Sequence, residues 1–395
     1  MVGVESVTAD WAASGLAYLT GAPDGPPDFS RAAVLAEARR VTADIAALIG
    51  AEVDAATILA GRAALLDLTR RGRISAGGAT RLLRTADSWC AIALPRPDDI
   101  AALPALLAVD TVAVDPWPAI THWVATCSAE AVVARAQLLD IAAAALGEAV
   151  PAAPAVRGAG ERVQPRRPDG LLVADLSSLW AGPLCAHLLA QAGAVVVKVE
   201  SPTRPDGTRR GEPAFFDWLN FGKLSYTVDF DTSPEALREL LAAADVVIEG
   251  SRPAALRRRR LGAEDVPARP GRVWLTITGH GDQPERPAFG DDAAVAGGLV
   301  GAGPVFCGDA IADPLSGLEA ARAVAQSLGR GGGEVITLSM AAVAAGYAAL
   351  PQTASDGAVT VARPQPPAPA PSGSPLGADN AAVCRIVTQR LGSSC

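Results

Sequence analysis

Short apolar runs alternate with helices in the second half of the sequence, and this alternation limits the possible folds more than any other feature. The runs "LLVAD", "VVVKVE", "DVVIEG" and "RVWLTIT" are typical of short buried strands. The intervening stretches "AGPLCAHLLAQAGA" and "PEALRELLAAA" are typical of helices. Strands that alternate with helices form βαβ units and a parallel sheet. The sequence therefore predicts an α/β fold with a doubly wound, Rossmann-like sheet, whose ligands bind at the carboxyl ends of the strands.

The rest of the chain divides into further parts. A length of 395 residues favours two domains. Residues 1–150 are predicted to form a smaller, mostly helical domain, interrupted by the hairpin-like stretch "GGATRLLRTADSWCAIALPRPDD". Residues 151–170 are rich in Pro, Gly and Arg and are predicted to be a linker. The sheet domain is predicted over 171–361, followed by a proline-rich spacer and a terminal helix over 362–395.

Composition excludes several classes of protein. A net charge of -8 argues against nucleic-acid binding, and no stretch of about 20 apolar residues predicts a membrane span. The first residues lack the pattern of a signal peptide. Six scattered cysteines favour reduced thiols in a cytoplasmic protein over disulfides or a zinc site. With only three histidines, we expect no histidine-built metal site. We also expect no prosthetic group.

An ordered series of motifs resembles the class III CoA-transferase family, which includes the alpha-methylacyl-CoA racemases. The series begins with the "AGP" turn and "GAVVVKVE", and continues with "LNFGKLSYTVDF", "ADVVIEG" and "LTITGHG". It ends with "RGGGEVITLSMAAV" and "SPLGADNAAV", so the resemblance covers Leu171 to the C-terminus. The resemblance implies an acyl-CoA:carboxylate CoA-transferase. Its partners would be an acyl-CoA thioester, as substrate, and a carboxylic acid.

The stretch "DAIADPLSGLEAA" contains the candidate nucleophile. Asp313 precedes Pro314 at the start of a predicted helix, where an isolated aspartate would be expected to act as a cap. The family's catalytic aspartate stands four residues before a glycine, and Gly317 has that spacing from Asp313. The resemblance therefore implies that Asp313 is the catalytic residue, with Asp309 as the runner-up. We expect the helix start to stabilise the ionised form of Asp313 and keep its pKa low.

The resemblance also implies a set of CoA contacts: Trp180, Ala181, Val228, Gly250, Ser251 and Arg258. Arg258 lies in "ALRRRRLG", a run that on its own would be interpreted as a solvated face, but a guanidinium suits a nucleotide phosphate. Three basic residues of the loop "PTRPDGTRR" are expected to add to the positive electrostatic potential at the phosphates: Arg204, Arg209 and Arg210. Aromatic residues near the predicted cleft suggest a bulky or apolar acyl group: Trp180, Phe215, Phe216 and Trp218.

Two departures from the family pattern stand out. The family inserts its small domain before the final helix, where this chain has only the spacer Ala362–Ser374. Because "GGATRLLRTADSWCAIAL" resembles part of that small domain, residues 1–150 are interpreted as a rearranged or degenerate family half, with accidental similarity as the alternative. The loop that carries a catalytic histidine in the racemase branch here has Gly290, Asp291 and Asp292. We expect the two aspartates to cap the following helix.

Three functions remain open at this stage. A CoA-transferase that works through a covalent aspartyl intermediate is favoured. An acyl-CoA racemase or isomerase on the same fold is the first alternative, disfavoured by the missing loop histidine. A non-catalytic subunit that binds CoA esters is the second. Since family chains interlock, we expect a homodimer, with a hetero-oligomer as the alternative.

Overall fold

The computed structural model describes residues 4–250, 252–353 and 359–392. The helices are α1 (Val4–Ala13), α2 (Leu16–Leu19), α3 (Ala33–Ile49), α4 (Ala55–Leu65), α5 (Pro97–Ala101), α6 (Leu103–Leu107), α7 (Trp117–Ala125), α8 (Ala129–Leu138), α9 (Ala181–Gln191), α10 (Pro213–Asn220), α11 (Pro234–Ala243), α12 (Pro253–Arg257), α13 (Gly290–Ala296), α14 (Ala312–Gly329), α15 (Met340–Ala348) and α16 (Asn380–Leu391), with a short 3-10 helix at Gly207–Arg210. The strands are β1 (Thr80–Arg84), β2 (Trp89–Ala93), β3 (Ala142–Ala145), β4 (Ala155–Gly158), β5 (Leu172–Asp175), β6 (Val195–Glu200), β7 (Leu224–Thr227), β8 (Val246–Glu249), β9 (Val273–Thr278), β10 (Val300–Gly301), β11 (Val305–Phe306) and β12 (Glu334–Ser339). None of the described helices combines the length and the apolar character needed to cross a membrane.

Seven strands form the central sheet, in the order β4-β12-β9-β8-β5-β6-β7. All neighbouring pairs are parallel except β4 and β12, which are antiparallel. The chain winds outward from β5 to β7, then returns to β8 and winds outward in the other direction. This order confirms the predicted α/β fold with a doubly wound parallel sheet. The reversal occurs between β5 and β8, which makes their carboxyl ends the expected ligand crevice.

Helices cover the sheet because its strands are apolar on both faces, as parallel strands require. On one face, α9 and α14 enclose a core that includes Leu184 and Leu315. On the other face, α11 and α16 enclose a second core that includes Leu240 and Val387. Packing of the helices on the two faces of the sheet holds the helix starts around the crevice in place.

A separate antiparallel sheet consists of β1, β2 and β3. The predicted hairpin is confirmed, with Leu83 opposite Cys90 in β1 and β2. Helices α7 and α8 cover this sheet and share a core with it that includes Ile92, Ile120 and Val132. Its other face packs on α13, where Ala91 meets Val295. The small sheet therefore lies directly against an element of the sheet domain.

The segments on either side of this small unit join the central sheet. Helices α1 to α4 contribute Trp11, Leu35 and Leu59 to the same core as Leu315. Residues 151–170 contain β4, which extends the central sheet by pairing with β12. The proposed domain division at residues 150 and 170 remains a prediction. Helices α1 to α4 share a core with the sheet domain, and residues 151–170 contribute a strand to the sheet itself.

The proline-rich spacer is an extended segment that packs across the N-terminal helices. Pro364 and Pro367 are buried. The amide of Ala362 donates to the carbonyl of Ala12 at 3.0 Å, and the amide of Gly373 donates to Asp217 Oδ1 at 2.9 Å. The spacer thus holds α1 and α10 in place before the chain enters α16.

Candidate active site

The loops that follow β5 and β8 meet at the reversal point of the sheet. A Cβ added to Gly250 would lie 3.1 Å from the Cβ of Ser177, and one added to Gly182 would overlap the Ser177 side chain. Small residues are therefore required on both sides of Ser177. The crevice in which doubly wound folds bind ligands is bounded here by residues 176–182 and by Gly250.

A buried network of charges holds the first of these loops. Lys223 Nζ lies 2.9 Å from Asp175 Oδ2, and Lys198 Nζ lies 2.8 Å from Asp206 Oδ2 and 2.9 Å from the carbonyl of Ser177. Burial opposes ionisation of Asp175, but the two lysines hold its pKa below the usual range. Each buried charge has a partner, as its desolvation requires.

The same network supports a strained residue just before α9. Leu179 has a φ of 70°, a conformation that residues with a side chain rarely adopt. Its amide donates to Asp206 at 3.2 Å, which helps to hold that conformation. Strain of this kind persists where the surroundings impose it, and it is concentrated at functional sites. Here it directs the chain into Trp180 and the start of α9.

Helices α9 and α14 approach each other closely at Gly317. A Cβ at this position would lie 2.8 Å from the carbonyl oxygen of Ala181 and 2.7 Å from Leu184 Cδ2. Asp313 precedes Gly317 by four residues, which places it about one helical turn away on the same side of α14. The spacing of Asp313 and Gly317 therefore sets the aspartate beside the loop that carries Trp180.

Asp313 is the second residue of α14 and makes no capping hydrogen bond to it, so the alternative that this aspartate merely caps the helix is wrong. The residue is partly exposed. Burial of its carboxyl group, with the nearby charges of Asp291 and Asp309, raises its pKa to about 7, although Arg62 and the amide of Gly290 oppose the shift. The expected low pKa is therefore also wrong, because desolvation and like charges outweigh the field of the helix start.

Asp309 has a different environment. It is 1% exposed, and both of its oxygens lie 2.7 Å from Nη1 of Arg62 on α4. The Arg62 guanidinium also lies against two aromatic rings, 5.6 Å from the centroid of Trp180 and 5.4 Å from that of Phe215. Sequence reasoning missed Arg62. The available signal was a single charge inside the apolar stretch "TILAGRAALL".

The two aspartates at the start of α13 have separate roles. Asp292 Oδ1 accepts from the amide of Phe289 at 2.8 Å, which confirms the capping prediction for this residue, and burial raises its pKa to about 8. Asp291 does not cap α13, so that prediction is wrong. It accepts instead from Thr80 Oγ1 and from the amide of Ala310, both at 3.1 Å. Asp291 thus connects the small sheet to the turn before α14.

Asp291 and its neighbour Gly290 also shape the space around Asp313. Burial, together with the charge of Asp309, raises the pKa of Asp291 to about 6. A Cβ on Gly290 would overlap Asp313 Oδ2, so only glycine leaves the carboxylate room at this position. Ala310, held by Asp291, has a φ of 42°, again an unusual value for a residue with a side chain.

Of the predicted CoA contacts, Trp180, Ala181 and Gly250 lie on the loops that bound the crevice. Trp180 directly precedes α9 and Ala181 begins it, and both are buried, whereas Gly250 follows β8 and is exposed. The side chain of Val228 belongs to the core between the sheet and α11, so a contact with CoA would involve its backbone. Ser251 lies outside the described residues.

The arginines predicted to bind the phosphates of CoA, and their neighbours, differ in whether a carboxylate already pairs with the guanidinium group. Arg258 is exposed, and no acceptor among the described residues lies within hydrogen-bond distance of its guanidinium, whereas Arg257 and Arg259 pair with Glu285 and Asp231. Arg209, expected to add to the basic field, instead forms a 2.6 Å ion pair with the buried carboxylate of Glu200. Arg204 and Arg210 are exposed. No group of metal-ligating side chains occurs in the part of the chain that the structure describes.

Residues 169–376, just over half of the chain, match the model of CoA-transferase family III. The chain belongs to CoA-transferase family III. The family III region contains the proposed CoA contacts and Asp313. It excludes Arg62 and Thr80, which reach the same site from the N-terminal part of the chain.

Curated relatives in the family include two transferases. The chain is 30% identical over 203 residues to the succinyl-CoA–D-citramalate CoA-transferase of Chloroflexus aurantiacus, covering 45% of this chain and 50% of that one. It is 30% identical over 186 residues to the succinate–glutarate CoA-transferase of Agrobacterium fabrum, covering 40% and 46%. The chain thus spans about half the length of these relatives. A CaiB/BaiF family protein of known structure from Brucella suis is 31% identical, with coverage of 47% and 56% and a TM-score of 0.42.

Proposed function

We propose that this chain is an acyl-CoA:carboxylate CoA-transferase in which Asp313 is the nucleophile. The observation that carries the proposal is the placement of Asp313. Asp313 is partly exposed and lies at the start of α14, which the close approach of Gly317 to Ala181 fixes against the reversal point of the sheet. Membership of CoA-transferase family III supports the same activity.

The proposed reaction exchanges two acids on one CoA. A carboxylate oxygen of Asp313 attacks the thioester carbonyl, the C–S bond breaks, and CoA thiolate leaves behind an aspartyl–acyl anhydride. The thiolate then attacks the aspartyl carbonyl and releases the donor acid, which leaves an aspartyl–CoA thioester. The acceptor carboxylate attacks this thioester, and the same steps in reverse order give the new acyl-CoA and free Asp313. Covalent catalysis divides one difficult exchange into easier steps.

The local geometry favours Asp313 over Asp309 as the nucleophile. Both oxygens of Asp309 are held by Arg62, and its side chain is closed to solvent. Asp313 retains exposed surface and faces the glycine at position 290. Asp313 is partly exposed, and no arginine among the described residues forms an ion pair with its carboxylate, which suits an attacking group better than the environment of Asp309 does.

We propose that CoA lies across the crevice between the loops after β5 and β8. Its pantetheine arm would pass the backbone of Trp180 and Ala181, because their side chains are buried. Its phosphates would reach Arg258, which is exposed and unpaired among the described residues. A guanidinium offers paired donors to a phosphate group. The thioester would then arrive beside Asp313.

A second candidate function is supported by Asp291 and Asp313. The two carboxyl groups have pKa values raised to about 6 and about 7, which suit proton transfer near neutral pH. Such a pair would move a proton at the carbon next to a thioester, as a racemase or isomerase does. Two carboxyl groups with near-neutral pKa values are candidates for acid–base roles.

We further propose a homodimer in the cytoplasm, with a hetero-oligomer as the alternative. The family resemblance implies interlocked chains. The described cysteines are free thiols, which suits a reducing compartment: Cys90, Cys127, Cys185, Cys307 and Cys384.

One incubation distinguishes these functions. The protein is mixed in D2O with an acyl-CoA and a different free acid labelled with 13C, and the products are measured by mass spectrometry. Appearance of the label in a new acyl-CoA supports the transferase. Deuterium uptake next to the thioester without exchange supports the isomerase. Neither change, with CoA binding retained, supports a non-catalytic subunit.

A further inference from the structure

The guanidinium of Arg62 has donors that the protein does not use. Only Nη1 contacts Asp309, and within the described parts of the chain Nε and Nη2 have no acceptor. The side chain is 26% exposed, so these nitrogens are accessible. Nη2 lies 3.9 Å from the position that a Cβ on Gly77 would occupy, which is an ordinary van der Waals distance. An accessible cation with a free edge is suited to bind an anion.

A second unused donor lies beside it. Trp180 is 2% exposed, and its Nε1 has no acceptor among the described residues. Leaving a buried N–H without a partner costs about 1–3 kcal/mol, so such groups usually have a partner. The indole contacts the Arg62 guanidinium and packs edge-on against Phe215, with a centroid distance of 5.3 Å. Two independent donors without partners therefore occur at one place.

We propose that Arg62 and the indole N–H of Trp180 bind the carboxylate of the free acid substrate. A carboxylate has two oxygens and accepts hydrogen bonds in the plane of a guanidinium fork. Phe215 provides an apolar surface for the carbon chain of the acid. This inference rests on the proposed transferase function, because only that reaction uses a free acid at Asp313.

The charge of the site changes in a way that favours this role. In the resting protein Arg62 is surrounded by Asp291, Asp309 and Asp313, so an additional anion is disfavoured. When Asp313 carries CoA as a thioester it can no longer ionise, so the site has less negative charge. The acid therefore binds best to the covalent intermediate that it must attack. Arg62, which lies outside the family III region, thus recognises the acid from the N-terminal part of the chain.

The test separates formation of the intermediate from its consumption by an acid. Trp180→Phe removes the N–H and keeps an aromatic ring. The double variant Arg62→Gln/Asp309→Asn removes the cation together with its partner, so that no buried charge remains unpaired. Trp123→Phe on α7 and Arg40→Gln on α3 are matched controls outside the site. Thermal melting establishes that each variant is folded.

Each protein is first treated with succinyl-CoA alone, and the covalent CoA adduct is followed by intact mass spectrometry. The adduct is then exposed to increasing acetate, propionate or benzoate. Because Arg62 and Asp309 influence the pKa of Asp313, and Trp180 lies along the proposed path of CoA, the adduct is allowed to form to completion in every protein before the acid is added. The acid concentration for half-maximal consumption should rise about tenfold or more in the double variant, because a charged hydrogen bond is lost, and less in Trp180→Phe. The controls should match the wild type.

Two results would overturn the proposal. Unchanged half-maximal concentrations in both folded site variants would show that neither donor binds the acid. Loss of adduct formation in them would show that these side chains serve Asp313 itself. If the wild type forms no adduct, the proposed function fails, and the site is tested by saturation-transfer NMR with the same acids in the Asp313→Asn background, which lacks the negative charge at residue 313. Binding that depends on Arg62 and Trp180 then supports it, and absence of binding, or binding that both variants retain, contradicts it.

Discussion

Gly317 on α14 lies so close to Ala181 on α9 that a Cβ on the glycine would be 2.8 Å from the Ala181 carbonyl oxygen. Neither partner can move easily to make room, because Gly317 belongs to the backbone of α14 and Ala181 is the first residue of α9. The contact sets the distance between the candidate nucleophile and the loop that is proposed to bind CoA.

Substituting Gly317 with alanine should therefore displace α14 from α9. We expect Gly317→Ala to lower the melting temperature and to reduce the rate of adduct formation at Asp313, since overpacking typically costs about 1–3 kcal/mol. Gly346→Ala is the matched control, because that glycine is on a helix with open space around it and should gain stability from the change. Equal effects of the two substitutions would contradict the role of the Gly317 contact.

The activity should depend on the ionisation of Asp313. Its pKa is raised to about 7, so the attacking carboxylate is lost by protonation below that pH. We expect the single-turnover rate of adduct formation to rise with pH up to about 7 and then level off. Asp291→Asn removes a neighbouring negative charge and should shift the rising part of this pH profile to lower pH. A rising part that stays at the same pH in this variant would show that Asp291 does not influence the pKa of Asp313.

Stability should depend on the buried carboxyl group of Asp292. Its pKa is about 8 in the folded protein, against an ordinary value of 3.8. Between these values the folded protein keeps a proton that the unfolded chain has lost, so its free energy of unfolding falls as pH rises. Asp292→Asn cannot ionise, and should lose less stability than the wild type between about pH 4 and 8 in urea titrations. The exposed control Asp24→Asn should follow the wild type, and a parallel pH dependence in all three proteins would refute this assignment.

Arg258 should contribute electrostatically to CoA binding. Because it is exposed and unpaired among the described residues, Arg258→Ala should leave folding unchanged and weaken CoA binding in calorimetry. The loss should be larger at low than at high ionic strength, since salt screens exposed charges. Arg385→Ala, an exposed arginine on α16, serves as the control. An affinity unchanged at both salt concentrations would remove Arg258 from the proposed site.

The central sheet could be predicted from the sequence because its strands carry their own signal. Runs such as those ending at Asp175 and Glu249 are apolar throughout, as buried parallel strands must be, and helical spacing resumes after each. The strand β4 was missed, since "AVRG" is fully exposed at the edge of the sheet and has no apolar pattern. Its pairing depends on β12, which is far away in sequence.

The site could be predicted only in part, and for a related reason. The spacing of Asp313 and Gly317 is local, so the sequence displays it. The pKa of Asp313 depends instead on Arg62, Asp291 and Asp309, which only the fold brings together. A helix start by itself favours a low pKa, and the opposite direction arises from tertiary burial.

The most direct test of the account is the covalent state of Asp313 during exchange. The wild type, Asp313→Asn and Asp309→Asn are each incubated with succinyl-CoA, treated with hydroxylamine or borohydride, digested, and mapped by mass spectrometry. We predict a modification at residue 313 of the wild type. Asp313→Asn should fold normally, form no adduct and lose turnover by orders of magnitude, because an amide is a poor nucleophile. Asp309→Asn should still be modified at Asp313. Near-normal exchange by Asp313→Asn, with loss of exchange by Asp309→Asn, would contradict the choice of Asp313, and normal exchange by both would contradict the covalent aspartyl mechanism.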